Sequence, residues 1–365
     1  MKVILISFPT LPVCQNLMYL AYIALRDKGI YVKTIGAEDA DVDYNITNDN
    51  YLIRTPEKSG MTFKGVLELP LKIFKILYII NKEKPDIVHF THKHIWNYVV
   101  IKLIRLFNKK IKIVHSLHDP VGHEGDSVKN GVIMYNSKII HMADALVVHS
   151  ENALKQLREN YDFGTKVFIA RYSQSLWKAF TEKKIKKNIL FFGRVNRYKG
   201  CDKIPKLSRE ILKLDKDITI NVVGKASNDI EQSLIDEINR CENVKWDNRF
   251  IENNEITKVF ENNDITLIMY NHISQSGVIC DSYNNSVPVI AFNITGMDEF
   301  VYDDVTGALV EPFDVRAYAN EIVRLLNDNE RWKRLCRGAW VLGNEKFSNM
   351  AMAEDFIRIY DELKK

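Results

Sequence analysis

Ser274-Gln275-Ser276-Gly277-Val278, continuing as ICDSYNNSVP to Pro288, lies between two apolar runs, 265–269 and 289–292. The first run reads as a strand, 278–285 as a helix, and the second run, after Pro288, as another strand. A small-residue turn that leaves a strand and opens a helix presents outward N–H groups. The helix dipole favours negative charge at the same place. A phosphate is therefore expected on Ser274, Gln275, Ser276, Gly277 and Val278. Asp281, one turn further, is placed to reach a neighbouring hydroxyl such as a ribose. Any strand-to-helix turn in an α/β protein also needs small residues, so the assignment depends on what surrounds it.

Working outward, apolar runs at 188–192, 218–223, 244–246 and 308–310 join the two above, with helix-like segments between them. The amino-terminal half repeats the pattern with runs at 3–8, 30–35, 86–90, 112–117 and 143–148. A helix over 15–28 there is closed by Gly29. Strands alternating with helices imply parallel sheets with right-handed crossovers, and ligands then bind beyond the carboxyl ends of the strands. The expected fold is α/β: two Rossmann-like, doubly wound domains, 1–175 and 176–347, with a terminal helix in 348–365 crossing back to the first. The polar stretch 173–187 reads as the linker.

Strand ends are thus the informative positions. Gly193-Arg194 follows one strand, with Lys199-Gly200 close behind, and Gly224-Lys225 follows the next. Two cations at a strand end suit a diphosphate, although surface carboxylates would pair with them equally well. In the first half, 112–117 is followed by His118-Asp119 and then by Gly122-His123-Glu124. A histidine with carboxylates there could orient a phosphate or a reacting hydroxyl, or simply bond within its loop. Pro9-Thr10-Leu11-Pro12, after the first strand, lacks the glycines of a phosphate loop.

With 365 residues, 46% hydrophobic and 27% charged, the chain fits an ordinary two-domain globular protein. A net charge of +4 gives no argument for nucleic acid. Five scattered cysteines form no CxxC or zinc spacing, which predicts a reduced cytoplasmic setting and no structural metal. The apolar start reads as a buried strand rather than a signal peptide, and no run reaches membrane-spanning length. Two segments, 64–80 and 96–113, interleave apolar residues with lysine and arginine, and the second contains no acidic residue. They read as amphipathic helices for an anionic membrane surface, or as core helices with a solvated basic face.

These residues carry a resemblance. Gly193-Arg194, Lys199-Gly200, the segment 274–288, Gly296-Met297-Asp298-Glu299 and Gly307-Ala308-Leu309-Val310 resemble family four of the retaining GT-B glycosyltransferases (glycosyl transferases group 1). Lys84-Pro85-Asp86-Ile87-Val88-His89, His118-Asp119 and the segment 143–151 look like it too. The resemblance implies two domains facing a cleft, with a nucleotide-sugar held mainly by the second. It implies that Arg194 and Lys199 bind the diphosphate, so that no metal cofactor is required, and that His118 stands near the reacting sugar. Arg249, Phe250 and Ile251 would frame the nucleobase. Gly193, Gly224 and Lys225 would complete the donor site, with Asp119 and His123 on the acceptor side. The family's two glutamates, eight positions apart, fall here at Ile273 and Asp281, so the first carboxylate is absent.

The expectation is a cytoplasmic, membrane-peripheral transferase moving a sugar from a UDP- or GDP-sugar to a hydroxyl acceptor, with retention. A lipid-linked saccharide in surface-polysaccharide assembly is the expected acceptor. The alternatives are a nucleotide-sugar epimerase or hydrolase of the same fold, and a non-catalytic sugar-nucleotide-binding protein.

Overall fold

The computed structural model describes residues 1–38, 40, 49–55, 63–121, 129–228 and 230–365. The described residues form two compact units, one of those up to 175 together with 349–365, the other of those in 176–348.

In the first unit the order is β1 (Lys2–Ser7), α1 (Pro12–Asp27), β2 (Tyr31–Ala37), β3 (Asn50–Ile53), α2 (Phe63–Glu83), β4 (Ile87–Phe90) and α3 (Ile95–Phe107). β5 (Lys112–Ser116), α4 (Lys129–Ile139), β6 (Ala145–Val148), α5 (Glu151–Asn160) and β7 (Lys166–Ile169) follow. The sheet is parallel, in the order β3-β2-β1-β4-β5-β6-β7. Its strands β4 and β6 are buried on both faces, as mainly apolar strands of a parallel sheet covered by helices are. From β1 the chain first moves toward one edge and then, after β3, toward the other. Right-handed crossovers therefore put α1 on one face and α2, α3, α4 and α5 on the opposite face.

In the second unit β8 (Asn188–Phe192), α6 (Ile204–Leu214), β9 (Thr219–Val223), α7 (Gln232–Asn239), β10 (Val244–Asp247), α8 (Asn253–Glu261) and β11 (Ile265–Ile268) come first. They are followed by α9 (Gly277–Asn284), β12 (Val289–Phe292), β13 (Gly307–Val310), α10 (Val315–Asn327) and α11 (Asn329–Phe347). This sheet is also parallel, in the order β10-β9-β8-β11-β12-β13. The final helix, α12 (Asn349–Lys364), packs on α1 in the first unit. His89 on β4 meets Tyr360 there, Nδ1 to Oη 2.6 Å, and Arg171 Nε donates to Asp355 at 2.9 Å.

Three sequence expectations need correction. Two strands of the first sheet, β3 and β7, escaped the pattern because both are short edge strands with half-exposed residues. The basic segment 96–113 is not one helix. α3 stops at Phe107, Asn108-Lys109-Lys110 form an exposed turn, Ile111 is buried, and Lys112 begins β5. The helix expected over 15–28 begins at Pro12, because proline at a first helical position lacks only an N–H that the helix would leave unbonded anyway.

A candidate anion site in the second unit

The strand order of the second unit reverses beside β8. Loops leaving β8 and β11 therefore run in opposite directions and open a crevice between them. Gly193 comes directly after β8 with φ +92°. A Cβ there would stand 2.7 Å from Lys199 Nζ and 3.6 Å from Val278 Cγ2. The loop after β8, a 3-10 turn at Arg197–Lys199 and the first turn of α9 thus meet at one point. Gly224, after β9, closes the floor. Its N–H donates to the Asp247 carbonyl at 3.0 Å, and its own carbonyl accepts from Trp246 Nε1 at 3.0 Å.

Asn196 places the lysine by capping the 3-10 turn, its Oδ1 accepting from the Lys199 N–H at 3.3 Å. Lys199 is only 8% exposed, and its ammonium sits 5.8 Å from the centroid of the Tyr270 ring. No carboxylate among the described residues offsets it. Burial, and then the charge of Arg194, lower its pKa to about 8. Arg194 and Lys225 are exposed, and their side chains have no hydrogen-bond or ion-pair partner among the described residues. Nearby cations behave differently: Arg197 is paired with Glu231, and Lys203 with Asp202 and Asn271. Among these neighbouring strand-end cations, the ones left without a carboxylate are therefore those at the crevice.

Ser276 caps α9, its Oγ accepting from the Ile279 N–H at 3.4 Å. That leaves the N–H groups of Gly277 and Val278 without acceptors inside the helix. Gln275 adds a buried Oε1 without a partner, and Ser274 beside it is buried. Ile273, where the family places a carboxylate, is buried apolar core. Asp281 is buried within α9, and its charge reaches Lys178. In the loop after β10, Arg249 is held by both oxygens of Glu255 at 2.7 Å and by Asp247 at 3.1 Å. Its neighbour Ile251 is buried, so the open face of this loop is Phe250, 56% exposed.

In the first unit, β4, β5 and β6 lie side by side, and a histidine stands beyond the end of each. Neighbouring strands are about 4.8 Å apart. The rings inherit that spacing: His118 stacks on His92 at 4.4 Å and on His149 at 4.8 Å. His118 Nε2 lies 2.8 Å from the Thr91 carbonyl, which can only accept, so Nε2 carries the proton and Nδ1 a lone pair. His149 Nδ1 donates likewise to the Ala170 carbonyl at 3.0 Å, leaving a buried, unpartnered Nε2. Burial lowers the pKa of all three, that of His149 to about 3, so the stack is neutral at physiological pH. The charge of Asp119 acts in the opposite direction on His118.

The structure thus brings together Gly193, Lys199, Gly224 and Val278, with Arg194 and Lys225 on the same strand ends. His118 and Asp119 belong to the other unit, and His123 lies outside the described residues. Sequence reading missed Asn196, Tyr270, His92 and His149. A histidine beyond three successive strands was the available signal for the stack. Among the described residues, no three His, Cys, Asp or Glu side chains are grouped to hold a metal ion, and no helix is long and apolar enough to cross a membrane.

Residues 17–170 match the model for Glycosyltransferase Family 4, and residues 186–328 that for Glycosyl transferases group 1. An uncharacterized 41.2 kDa protein in the cps region of Klebsiella pneumoniae is 26% identical over 325 residues, 83% of this chain and 85% of that one. Sucrose-phosphate synthase from Thermosynechococcus elongatus superposes with TM-score 0.74 at 18% identity, over 100% of this chain and 99% of that one. HepE from Anabaena, solved in complex with UDP, superposes with TM-score 0.72 at 15% identity, over 99% of this chain and 100% of that one. At such identities the structural likeness is one of fold.

Proposed function

Since this chain belongs to the glycosyltransferases of group 1 and family 4, with their GT-B pair of Rossmann-like units, we propose that it moves a sugar from a nucleotide-sugar to a hydroxyl acceptor with retention at the anomeric carbon. The observation that carries this reading is the buried, uncompensated Lys199 ammonium beside Arg194, facing the first turn of α9. Leaving a cation in that state is unfavourable unless a bound anion completes the site. A nucleoside diphosphate does so and has the charge for it.

In this reading Ser276, Gly277 and Val278 hold the donor phosphates by their N–H groups. Lys199 and Arg194 offset the charge that grows on the diphosphate as the glycosidic bond breaks. That preferential stabilisation of the departing group lowers the barrier without a bound metal. Front-face attack by the acceptor then preserves the anomeric configuration. Asp281 holds the ribose, Phe250 and Ile251 border the base, and Gln275 or Ser274 takes the place of the absent carboxylate toward the donor sugar. His118, neutral with a lone pair on Nδ1, serves as acceptor for a sugar hydroxyl. The UDP bound by HepE supports uridine as the base, and the cps-region relative supports a role in surface-polysaccharide assembly, for which the acceptor we propose is a lipid-linked saccharide. Such an acceptor would place the enzyme at the cytoplasmic face of a membrane.

A thermal-shift series with UDP-, GDP-, ADP- and TDP-sugars tests the donor. One base is expected to raise Tm well above the others, UDP first, and no stabilisation by any of them would end the reading. A second measurement examines Lys199. Phosphate oxygens beside it favour the charged amine, so its pKa must rise above about 8 on binding. Between the free and bound values, binding takes up a proton. Affinity for UDP should therefore fall as pH climbs past 8, approaching about tenfold per pH unit at most. Calorimetry in buffers of different ionisation enthalpy reads the proton directly. The pH dependence should vanish in Lys199→Met, and a wild type flat over the same range would contradict the role.

A further inference from the structure

On the face of the first sheet opposite α1, helices α2, α3 and α4 pack side by side. Their inner residues, including Ile73, Ile76, Val100, Ile104 and Val132, are buried. Their outer residues are also largely apolar. On α2, Leu71, Phe74 and Tyr78 stand 75%, 71% and 61% exposed, one helical stripe at i, i+3 and i+7. Leu106 and Phe107 at the end of α3 and Met134 on α4 are similarly bare. Scattered exposed apolar residues need no account, but a set across three adjacent helices does.

Lysines run through this set. Lys75 and Lys82 continue the α2 stripe, Lys102 lies four residues before Leu106, Lys138 lies four after Met134, and Lys109 and Lys110 follow Phe107. Neither α3 nor α4 contains an acidic residue. Among the described residues, carboxylates beside these helices are engaged: Glu83 accepts from Tyr31 and Tyr51, and Asp144 from Arg105. A second copy laid on this face would set lysine against lysine. An anionic bilayer surface instead takes both components, aromatic and aliphatic side chains at the headgroup boundary and ammonium groups on phosphates.

We propose that the outer face of α2, α3 and α4 docks on an anionic lipid bilayer, with Leu71, Phe74, Tyr78 and Phe107 entering the headgroup layer. The proposal rests on the lipid-linked acceptor reading for its purpose, since it brings the enzyme to where such an acceptor is anchored. Flotation of the full chain with vesicles of phosphatidylcholine, alone or mixed with phosphatidylglycerol, tests it. The chain is expected to float with the mixed vesicles, not with the neutral ones, and to be released by salt. Lys109→Gln with Lys110→Gln should weaken partitioning about thirtyfold, from roughly fivefold per lysine near an anionic surface. Leu71→Ser, Phe74→Ser and Tyr78→Ser together should abolish flotation at wild-type Tm.

Failure to float at low salt, equal binding to neutral vesicles, or a floating triple-serine variant would overturn the proposal. So would a dimer in sedimentation that the triple variant dissolves. UDP-induced stabilisation, measured on the same preparations, keeps the two readings apart. Its survival without flotation removes only the membrane surface, and its loss with flotation intact removes only the donor.

Discussion

Lys199→Met should lower kcat/KM for transfer by about a hundred- to a thousandfold, the usual loss when one fixed donor to a developing charge is removed. The fall should sit mostly in kcat, because the leaving diphosphate gains negative charge only as the bond breaks. Stability should move the other way. The ammonium is buried without a carboxylate, so a methionine of similar length removes a desolvation cost and keeps the contact with Tyr270. Melting temperature should therefore hold or rise while turnover collapses. Arg194→Ala, at an exposed position, should cost less. A Lys199→Met enzyme with wild-type kcat would remove this residue from the reaction, and a lowered Tm would mean that the lysine is structural.

The second large effect is expected at Gly224, where a single methyl group meets backbone rather than a flexible side chain. A Cβ would stand 2.0 Å from the Gly193 carbonyl oxygen, at a φ of +141° that side-chain-bearing residues rarely adopt. Gly224→Ala must push the two strand ends apart, and Gly193 is the residue against which Lys199 and Val278 are set. The strain alone costs roughly 1–3 kcal/mol and the clash adds to it, so a fall in Tm of about 5–10 °C is expected. UDP stabilisation should disappear with it. Gly164→Ala, with nothing within 4 Å of its would-be Cβ, is the control and should change neither. An unperturbed Gly224→Ala would mean that the floor of the crevice is softer than its geometry implies.

Much of this architecture could be read from the chain. Stretches such as 189–191 and 289–292 are buried on both faces and so announce themselves as unbroken apolar runs. Edge strands have one open side and a mixed composition, which is why β3 and β7 were overlooked. The apolar and basic pattern of α3 runs on past Phe107 because Ile111 falls in phase with its buried face, yet Ile111 belongs to the approach to β5. For the site, Gly193, Arg194, Lys199 and Gly277 were legible because each follows a strand end. Their convergence was not. It depends on β8 lying next to β11, a pairing between segments more than seventy residues apart. The Gln275 oxygen and the burial of Lys199 likewise exist only once those segments have met. The three histidines were visible singly, but only the order β4-β5-β6 turns them into a stack.

The last helix sets a timetable. α12 supplies Phe356 and Tyr360 against His89, in the middle of the first sheet, and Asp355 against Arg171. A ribosome makes those residues only after it has made the whole second unit. The second unit is thus complete in sequence first, while the first waits with one face of β4 uncovered. The usual order, amino-terminal domain first, is therefore inverted here. A chain ending at Ser348, without α12, should yield a protease-resistant fragment from 176–348 but none from 1–175.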